Sequence, residues 1–376
     1  MRSHGLPSPF PDAAVHMGCP YNRPGREVAV SKRTTMADVA AHLGVSVATV
    51  SMALSDRPDS RIPEETKERV RTAAAELGYA PNAAARSLRT GRSRSIGFIS
   101  DEVMITRFAS AMIRGVLDVA DERGHAVLMA ETDRRPDRLV RAVDALSAQR
   151  IDGLVLGLMH ARRITVPELG DLPPHVLVNG TAQGWPCILP DEFAAGTAAA
   201  NHLIERGHRR IALIGRSRVH VEPAASATIA RRMAGIDARM AASGLTMTTE
   251  FEGSEWEPDL GYAGANEILD SSDVTAVIAA NDRVAFGVYG AAQERGVSIP
   301  GDLSVISFDD EPLASYLRPQ VTTLRLPYKE MGEVATTMVL DRVGDVSGRV
   351  SGGPLPAETL VPMPLVARGS VRDLTA

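Results

Sequence analysis

Apolar side chains between residues 34 and 79 recur every three or four positions, in three short runs. Their members are Met36, Val39, Ala40, Val45, Val50, Ala53, Val70, Ala73, Ala74 and Leu77. This helical period predicts three short helices around one small core. Gly44 suits a tight turn after the first helix, and Ser46 suits the cap of a second helix over residues 47–54. The pattern predicts a helix-turn-helix, whose second helix can enter a major groove.

The third helix has a clear start and end in the sequence. It opens with Pro63, and Glu64 and Glu65 suit the positive end of a helix. Gly78 is expected to close it. Ile62 occupies the predicted cap position, where a Ser or Thr is more usual.

Beyond residue 94 the pattern changes to alternating strands and helices. The predicted strands are RSIGFIS, HAVLMAE, IDGLVLGL, HVLVNG, RRIALIG, TAVIAAN and LSVISFDD. The predicted helices cover residues 108–123, 137–149, 192–206, 229–242, 260–269 and 283–295. This alternation predicts an α/β core of two doubly wound parallel-sheet subdomains with a cleft at their strand ends. Crossings between the subdomains are expected near residues 319–326 and again near Leu360.

Composition and charge refine this picture. The 376 residues are 44% hydrophobic and 4% aromatic, which suits an ordinary α/β protein. Net charge is −5, yet residues 31–94 carry more Lys and Arg than Asp and Glu. Four arginines follow the third helix, and they suit either phosphate contacts or a solvated linker: Arg86, Arg89, Arg92 and Arg94. Residues 1–30 have no periodicity and are predicted to be a flexible tail, unless translation begins downstream at Met17, Val28 or Val30.

Several function classes lack support in the sequence. Cys19 and Cys187 lie too far apart to suggest a metal cluster and give weak evidence for a disulfide. We found neither a secretory signal nor an apolar run of about 20 residues, so we expect a cytoplasmic protein with no membrane partner. Dinucleotide, Walker and nucleophile-elbow motifs are missing as well, so we expect neither an enzyme nor a metal or cofactor. A catalyst or a solute-binding receptor remains the remote alternative.

The motifs resemble the lactose repressor family of bacterial transcription factors. The resemblance rests on DVAAHLGVSVATVSMAL, on PEETKERVRTAAAELGYAPN, and on the ARSL that follows. It continues in the second half of the chain, through DEFAAGTAAANHLIERGHRRIALIG, AANDRVAFGVYGAAQERG and RPQVTTLRLPYKEMG. These segments are similar to the effector-binding core of the family, and that core in turn resembles periplasmic sugar-binding proteins. It implies an N-terminal all-α helix-turn-helix DNA-binding domain joined to a ligand-binding α/β core. Only the first thirty or so residues lie outside it.

The resemblance also implies which residues contact DNA. Val47, Ala48 and Met52 would face the groove, where apolar side chains favour thymine methyls and shape over hydrogen-bonded readout. For Val47, packing against the first helix is the alternative. Ser46, Thr49 and Ser51 would reach the phosphates, and Thr35 is a further predicted DNA-binding residue. Beyond it a hinge helix would be capped by Asn82, with Leu88 as a wedge in the minor groove; Ala85 and Arg86 belong to the same set.

A second set of residues is implied for the effector cleft. It comprises Asp101, Phe108, Asp191, Arg232, Trp256, Asn281 and Asp309. Asp309 and Arg232 would bind hydroxyl groups, and Trp256 would stack on a ring. The alternatives are ordinary structural roles: a helix cap for Asn281, a chain turn for Asp309 and surface packing for Trp256. Three departures from the family leave the ligand open: DEVMITRFAS in the first wall, Ser307 and Phe308 before Asp309, and a longer loop over residues 216–231.

These inferences give a domain plan and a function. We expect an extension over residues 1–30, a helix-turn-helix domain over 31–80, a hinge over 81–93 and a core over 94–376. Subdomain 1 would hold residues 94–190 and 318–345, and subdomain 2 residues 191–317 and 346–372. The expected function is repression from a palindromic double-stranded operator by a homodimer, or alternatively a tetramer. A small-molecule effector, a sugar or alternatively a nucleobase, nucleoside or other corepressor, would control it.

Overall fold

The computed structural model describes residues 34–54, 62–79, 92–102, 109–271, 273–343 and 353–375. By its internal contacts the chain divides into two compact units, Met1–Asn82 and Ala83–Ala376. No single helix in the described ranges is long and apolar enough to cross a membrane, and one sharply bent pair of short helices would pass only when taken together.

The described part of the first unit contains three helices, α1 (Met36–Leu43), α2 (Val47–Ala53) and α3 (Glu64–Glu76). The predicted apolar residues form its core, with Val39, Val50 and Val70 fully buried. Gly44 adopts φ 65° at the turn between α1 and α2, a conformation that favours glycine. The Ser46 hydroxyl caps α2 by accepting a hydrogen bond from the Thr49 amide at 3.0 Å. The helix-turn-helix prediction is confirmed at this level.

The start of α3 differs by one residue from the prediction. Its N-cap is Pro63 rather than Ile62, and no side chain caps it. The carbonyl of Pro63 instead accepts the first helical hydrogen bonds, from Thr66 at 3.0 Å and Lys67 at 3.1 Å. Ile62 packs half-buried on the core. Ile62 therefore lies one residue before the N-cap, a position at which an apolar side chain often packs on the helix that follows.

The second unit begins with a sheet of parallel strands covered on both faces. Its elements in chain order are β1 (Ser95–Ser100), α4 (Ala109–Glu122), β2 (Ala126–Glu131), α5 (Pro136–Ala148), β3 (Gly153–Arg163), β4 (His175–Thr181) and β5 (Cys187–Pro190). The strand order is β11-β5-β4-β3-β1-β2, where β11 is Glu358–Val361 near the end of the chain. Apolar clusters lie on both faces of this sheet, as a doubly wound sheet requires.

A second sheet of the same design follows. Its elements are α6 (Glu192–Glu205), β6 (Ile211–Arg216), α7 (Ile229–Ala242), β7 (Thr249–Glu252), α8 (Pro258–Ser271), β8 (Ala276–Ala279), α9 (Asp282–Glu294), β9 (Ser304–Asp309), α10 (Pro312–Tyr316), β10 (Thr322–Arg325), α11 (Tyr328–Leu340) and β12 (Leu365–Val366). The strand order is β12-β10-β9-β8-β6-β7, with β12 antiparallel to β10. Helix α11 packs instead on α4 and β4 of the first sheet.

The predicted subdomain boundaries near the C-terminus are wrong at two strands. Strand β10 was assigned to subdomain 1, but it pairs with β9 of the second sheet, Thr322 opposite Ile306. Strand β11 was assigned to subdomain 2, but it pairs with β5 of the first sheet, Thr359 opposite Ile188. The partner of a strand in a parallel sheet is a segment distant along the chain. A strand of four residues has too little sequence pattern to indicate which sheet it joins.

Candidate functional site

Helix α2 presents an apolar face to solvent. Val47 is 46% exposed and Met52 is 47% exposed, and Ala48 beside them is exposed as well. Val47 is not a member of the core of this unit, which favours the groove-facing assignment over packing on α1. The face is therefore available for contact with apolar groups in a DNA groove.

The polar residues around this face have local bonds of their own. Thr35 forms a capping box with Asp38, whose carboxylate accepts from both the Thr35 amide and hydroxyl at 2.7 Å. Ser46 and Thr49 join their hydroxyls at 2.9 Å, and Ser51 is half-buried. The remaining predicted residues, Asn82, Ala85, Arg86 and Leu88 of the hinge and Phe108 of the cleft, lie outside the described residues.

A cavity of about 410 Å³ lies where the strand ends of the two sheets meet. This volume is near the lower end of the range for small-molecule sites. The first subdomain contributes His160, Asn179 and Tyr328 to its wall. Four predicted effector residues from the second subdomain meet there: Arg232, Trp256, Asn281 and Asp309.

Arg232 is the largest fully buried side chain of the wall, with 1% of its surface exposed. Its Nε and Nη2 donate to the two carboxylate oxygens of Glu192 at 2.6 and 2.8 Å, and its Nη1 donates to the Ala280 carbonyl at 2.7 Å. The Phe308 ring lies against the guanidinium, 4.1 Å from its carbon to the ring centroid. Most of the predicted fork of donors is thus occupied within the protein, which makes Arg232 an anchor of the wall.

Two glycines allow this ion pair to form between adjacent helices. A Cβ at Gly196 of α6 would lie 2.1 Å from the Arg232 carbonyl oxygen, and a Cβ at Gly235 of α7 would lie 2.1 Å from the Phe193 carbonyl oxygen. Only glycine permits the two backbones to approach this closely. The resulting contact holds Glu192 and Arg232 side by side beneath the cavity.

Asp309 reaches the same floor from the end of β9, with its side chain 13% exposed. Its Oδ1 lies 4.0 Å from Arg232 Nη2. Burial, partly offset by Arg232 and reinforced by nearby acidic groups, raises the pKa of Asp309 to about 8. The carboxyl is therefore protonated at neutral pH and can both donate and accept a hydrogen bond.

The turn that carries Asp309 is held by a buried carboxylate behind it. Asp282 accepts hydrogen bonds from the Ser307 hydroxyl, from the Thr323 hydroxyl at 2.9 Å and from the Glu311 amide at 2.6 Å. Asp309 itself adopts φ 104°, a strained value for a residue with a side chain. These bonds fix the strained turn, and Ser307 thereby has a structural role at its unusual position.

Trp256 and Asn281 form the adjoining wall. The Trp256 indole donates to the Gly215 carbonyl at 2.9 Å, and the Asn281 amide donates to the Trp256 carbonyl at 3.1 Å. Asn281 also caps α9, because its side-chain oxygen accepts from the Val284 amide at 2.8 Å. The predicted alternative of a helix cap is thus present at Asn281, and the residue lines the cavity as well.

Two predicted effector residues are not brought into the cavity. Asp101 is 2% exposed and bonds to the Met159 amide at 2.9 Å and to Arg162 at 2.6 Å. Asp191 caps α6 by accepting from the Ala194 amide at 3.1 Å. Neither belongs to the cavity wall. Both assignments are corrected, because each carboxylate is used by its own surroundings.

Other wall residues were missed from the sequence. Glu192, directly after Asp191, turns inward where Asp191 turns to the helix start. The wall also holds His220, Thr228, Glu257, Arg283 and Glu311. The sequence signal that could have identified Glu192 is its place beside the small residues on the buried face of α6. The other missed residues lie in loops and at helix ends, where the sequence has no helical or strand period to follow.

An exposed helix-turn-helix face and a ligand-sized cavity at the strand ends of a two-sheet core define a class, the DNA-binding transcriptional regulators with a sensor core. The comparisons with known proteins agree. Residues 35–82 match the bacterial regulatory proteins of the lacI family, and residues 200–371 match the periplasmic binding protein-like domain. The chain belongs to the lacI family and is a transcriptional regulator, not an enzyme.

Curated relatives cover most of the chain. It is 33% identical to the transcriptional regulator GalS of Salmonella typhimurium over 81% of this chain and 89% of that protein. It is 32% identical to the repressor PurR of Yersinia enterocolitica over 90% and 97%, and 31% identical to the ribose operon repressor of Escherichia coli over 82% and 93%.

Solved structures give the same picture. The lac repressor dimer bound to operator and an anti-inducer is 25% identical, with a TM-score of 0.65, over 91% of this chain and all of that one. The regulator CelR in complex with cellobiose is 26% identical, with a TM-score of 0.55, over 90% of this chain and all of that one.

Proposed function

We propose that this protein is a repressor that binds a palindromic operator as a homodimer and whose operator affinity is set by a neutral sugar in the cavity. The observation that carries the proposal is the convergence of Arg232, Asp309, Asn281 and Trp256 on one cavity. A protonated carboxyl, an amide and an indole are groups that bind hydroxyls and the face of a sugar ring.

Charge favours an uncharged effector. The described wall carries the carboxyl groups of Glu192, Glu257, Asp309 and Glu311 against the guanidinium groups of Arg232 and Arg283. With Asp309 protonated at neutral pH, three carboxylates still face two guanidiniums. An added phosphate or carboxylate would be buried among like charges, which is costly. A nucleobase is the second candidate, because the Trp256 ring offers a planar wall to any ring system.

On the DNA side, the α2 face reads sequence mainly by apolar contact. Val47 and Met52 meet thymine methyl groups, and the hinge residue Leu88 acts as a wedge in the minor groove. The core pairs two copies, which matches a palindrome by symmetry. Repression takes place in the cytoplasm, where bacterial DNA lies.

Effector binding changes the relative position of the two sheet subdomains, and this change alters the hinge. Coupling of this kind is typically about 1 to 3 kcal/mol, which is enough for a useful switch.

The test is a thermal-shift screen with neutral sugars, sugar phosphates and nucleobases, on wild type and Asp309→Ala. A ligand at a hundredfold excess over its Kd stabilises the protein by about 2.7 kcal/mol, which raises the melting temperature by several degrees. A sugar that shifts wild type and not the variant supports the proposal. A stronger response to nucleobases would move the assignment to the second candidate, and a gel shift with selected DNA fragments tests the operator part separately.

A further inference from the structure

A long loop crosses from one subdomain to the other above the cavity. Residues 217–228, between β6 and α7 of the second sheet, form this segment, which we call the strap. The Arg163 amide of β3 donates to the Pro223 carbonyl at 2.7 Å, and the Ala227 amide donates to the Ala161 carbonyl at 2.7 Å. The strap is thereby hydrogen-bonded to the far end of a strand of the first sheet.

A neighbouring ion pair supports the same crossing. Arg231 at the start of α7 donates to both carboxylate oxygens of Glu358 in β11, at 2.8 and 2.7 Å. Strand β3 also continues past its neighbour β1, with a register shift after Gly157, and this extension provides the atoms that the strap bonds. The strap and the start of α7 that follows it are therefore both bonded to the first sheet.

Two residues of the strap have a buried polar side-chain atom without a hydrogen-bond partner, Thr228 at the start of α7 and His220 in the middle of the strap. Of the two, only His220 carries a ring that contacts the Trp256 ring. Its Nδ1 is buried and has no hydrogen-bond partner among the described residues, although the side chain lines the cavity. Its ring meets the Trp256 ring edge-on, with centroids 4.6 Å apart and planes at 80°. A buried polar atom without a partner is costly and calls for a functional or structural reason.

The surroundings of His220 favour its neutral form. Burial and the nearby Arg232 lower its pKa from the ordinary value. A neutral imidazole has one donor nitrogen and one acceptor nitrogen, and a hydroxyl group can satisfy either form. The neighbouring exposed residues Val219 and Val221 lie in the same helical turn and point elsewhere, with 56% and 50% of their surfaces exposed.

We propose that the strap forms part of the effector site and that His220 is a specificity-determining residue, whose Nδ1 hydrogen-bonds one hydroxyl group of a neutral sugar. This inference rests on the proposed function, since it takes the cavity as the effector site. It adds a contact from the loop that follows β6, and it explains why that loop is held across the cleft.

The test uses isothermal titration calorimetry with D-ribose, D-glucose, D-galactose, sucrose and cellobiose, and with D-gluconate and glucose 6-phosphate as anionic counterparts. The sugar that binds tightest is then titrated into His220→Ala, into His220→Asn and into the control Val221→Ala. Loss of a buried hydrogen bond predicts an approximately tenfold weaker Kd for His220→Ala. His220→Asn restores part of the affinity, and the control is unchanged.

Monodeoxy analogues of that sugar identify the hydroxyl. At one position, removing the hydroxyl weakens binding to wild type and has little further effect on His220→Ala. A Kd for His220→Ala within twofold of the control overturns the inference and leaves the proposed function standing. Failure of wild type to bind any neutral sugar, or preference for the anionic compounds, overturns both the inference and the sugar assignment.

Discussion

Removing the charge of Glu192 is expected to destabilise the core strongly, because Arg232 has no other full partner. Arg232 is 1% exposed and gives two hydrogen bonds to Glu192, whereas its other polar contacts are the Ala280 carbonyl and Asp309 at 4.0 Å. Breaking one side of a buried ion pair typically costs about 3 to 5 kcal/mol. We therefore expect Glu192→Gln to lower the free energy of unfolding by about that amount at pH 6.

Asp309 makes this loss depend on pH. With a pKa of about 8, Asp309 must lose its proton to replace Glu192 as the partner of Arg232. At pH 7 that ionisation costs about 1.4 kcal/mol, and at pH 9 it costs nothing. The Glu192→Gln variant should therefore lose less stability at pH 9 than at pH 6, by about 1 to 3 kcal/mol.

The assay is urea unfolding of wild type and variants at both pH values. The control is Glu250→Gln, whose partner Arg216 lies at 2.6 Å on a much more exposed part of the second sheet and also contacts Asp237. An exposed pair contributes at most about 1 kcal/mol. If Glu192→Gln costs no more than Glu250→Gln at pH 6, the reasoning on the buried pair fails.

Two further predictions follow from the structure, and a third follows from the sequence. Asp309→Asn should remove one contribution to the pH dependence of stability. The folded pKa of Asp309, about 8, lies above the unfolded value of 3.8, so this group alone lowers the stability by about 1.4 kcal/mol per pH unit between these values, and urea unfolding at pH 5, 7 and 9 should show a shallower fall in the variant. Gly235→Ala should lower the melting temperature and weaken effector binding, because its Cβ would meet the Phe193 carbonyl at 2.1 Å and separate α6 from α7, at a cost of about 1 to 3 kcal/mol; an unchanged melting curve would contradict this. Leu88→Ala should weaken operator binding and leave effector affinity intact, and equal affinity of both proteins in a gel-shift titration would count against the wedge.

Much of the fold could be predicted from the sequence because its elements are long and periodic. Helix α7 begins and ends at the predicted residues, Ile229 and Ala242. Strands β5 and β7 were not predicted: β5, CILP, is a short run that ends in proline, and the sequence of β7, TEFE, is mostly polar. Period alone does not identify such strands.

The cavity wall was predicted in part, for a related reason. Arg232, Trp256, Asn281 and Asp309 follow strands or open helices, where a motif gives their place. Asp101 and Asp191 occupy similar places and do not reach the cavity, because Arg162 and the amide of Ala194 take their carboxylates. Whether a carboxylate is taken up by a neighbouring group depends on partners distant in sequence or on the backbone orientation of a single residue. Neither can be seen in the sequence pattern.

The pairing of β11 with β5 also determines the order in which the core can be completed during synthesis. The first sheet gains its edge strand only when residues 358–361 have been made, after nearly every element of the second sheet. The second sheet gains its own edge strand β12 immediately afterwards. Neither subdomain is therefore a continuous stretch of chain that can be cut out and expressed intact. The ribosome must therefore synthesise almost the whole protein before either sheet has its edge strand. Until then the exposed edge of β5 can pair with a wrong strand.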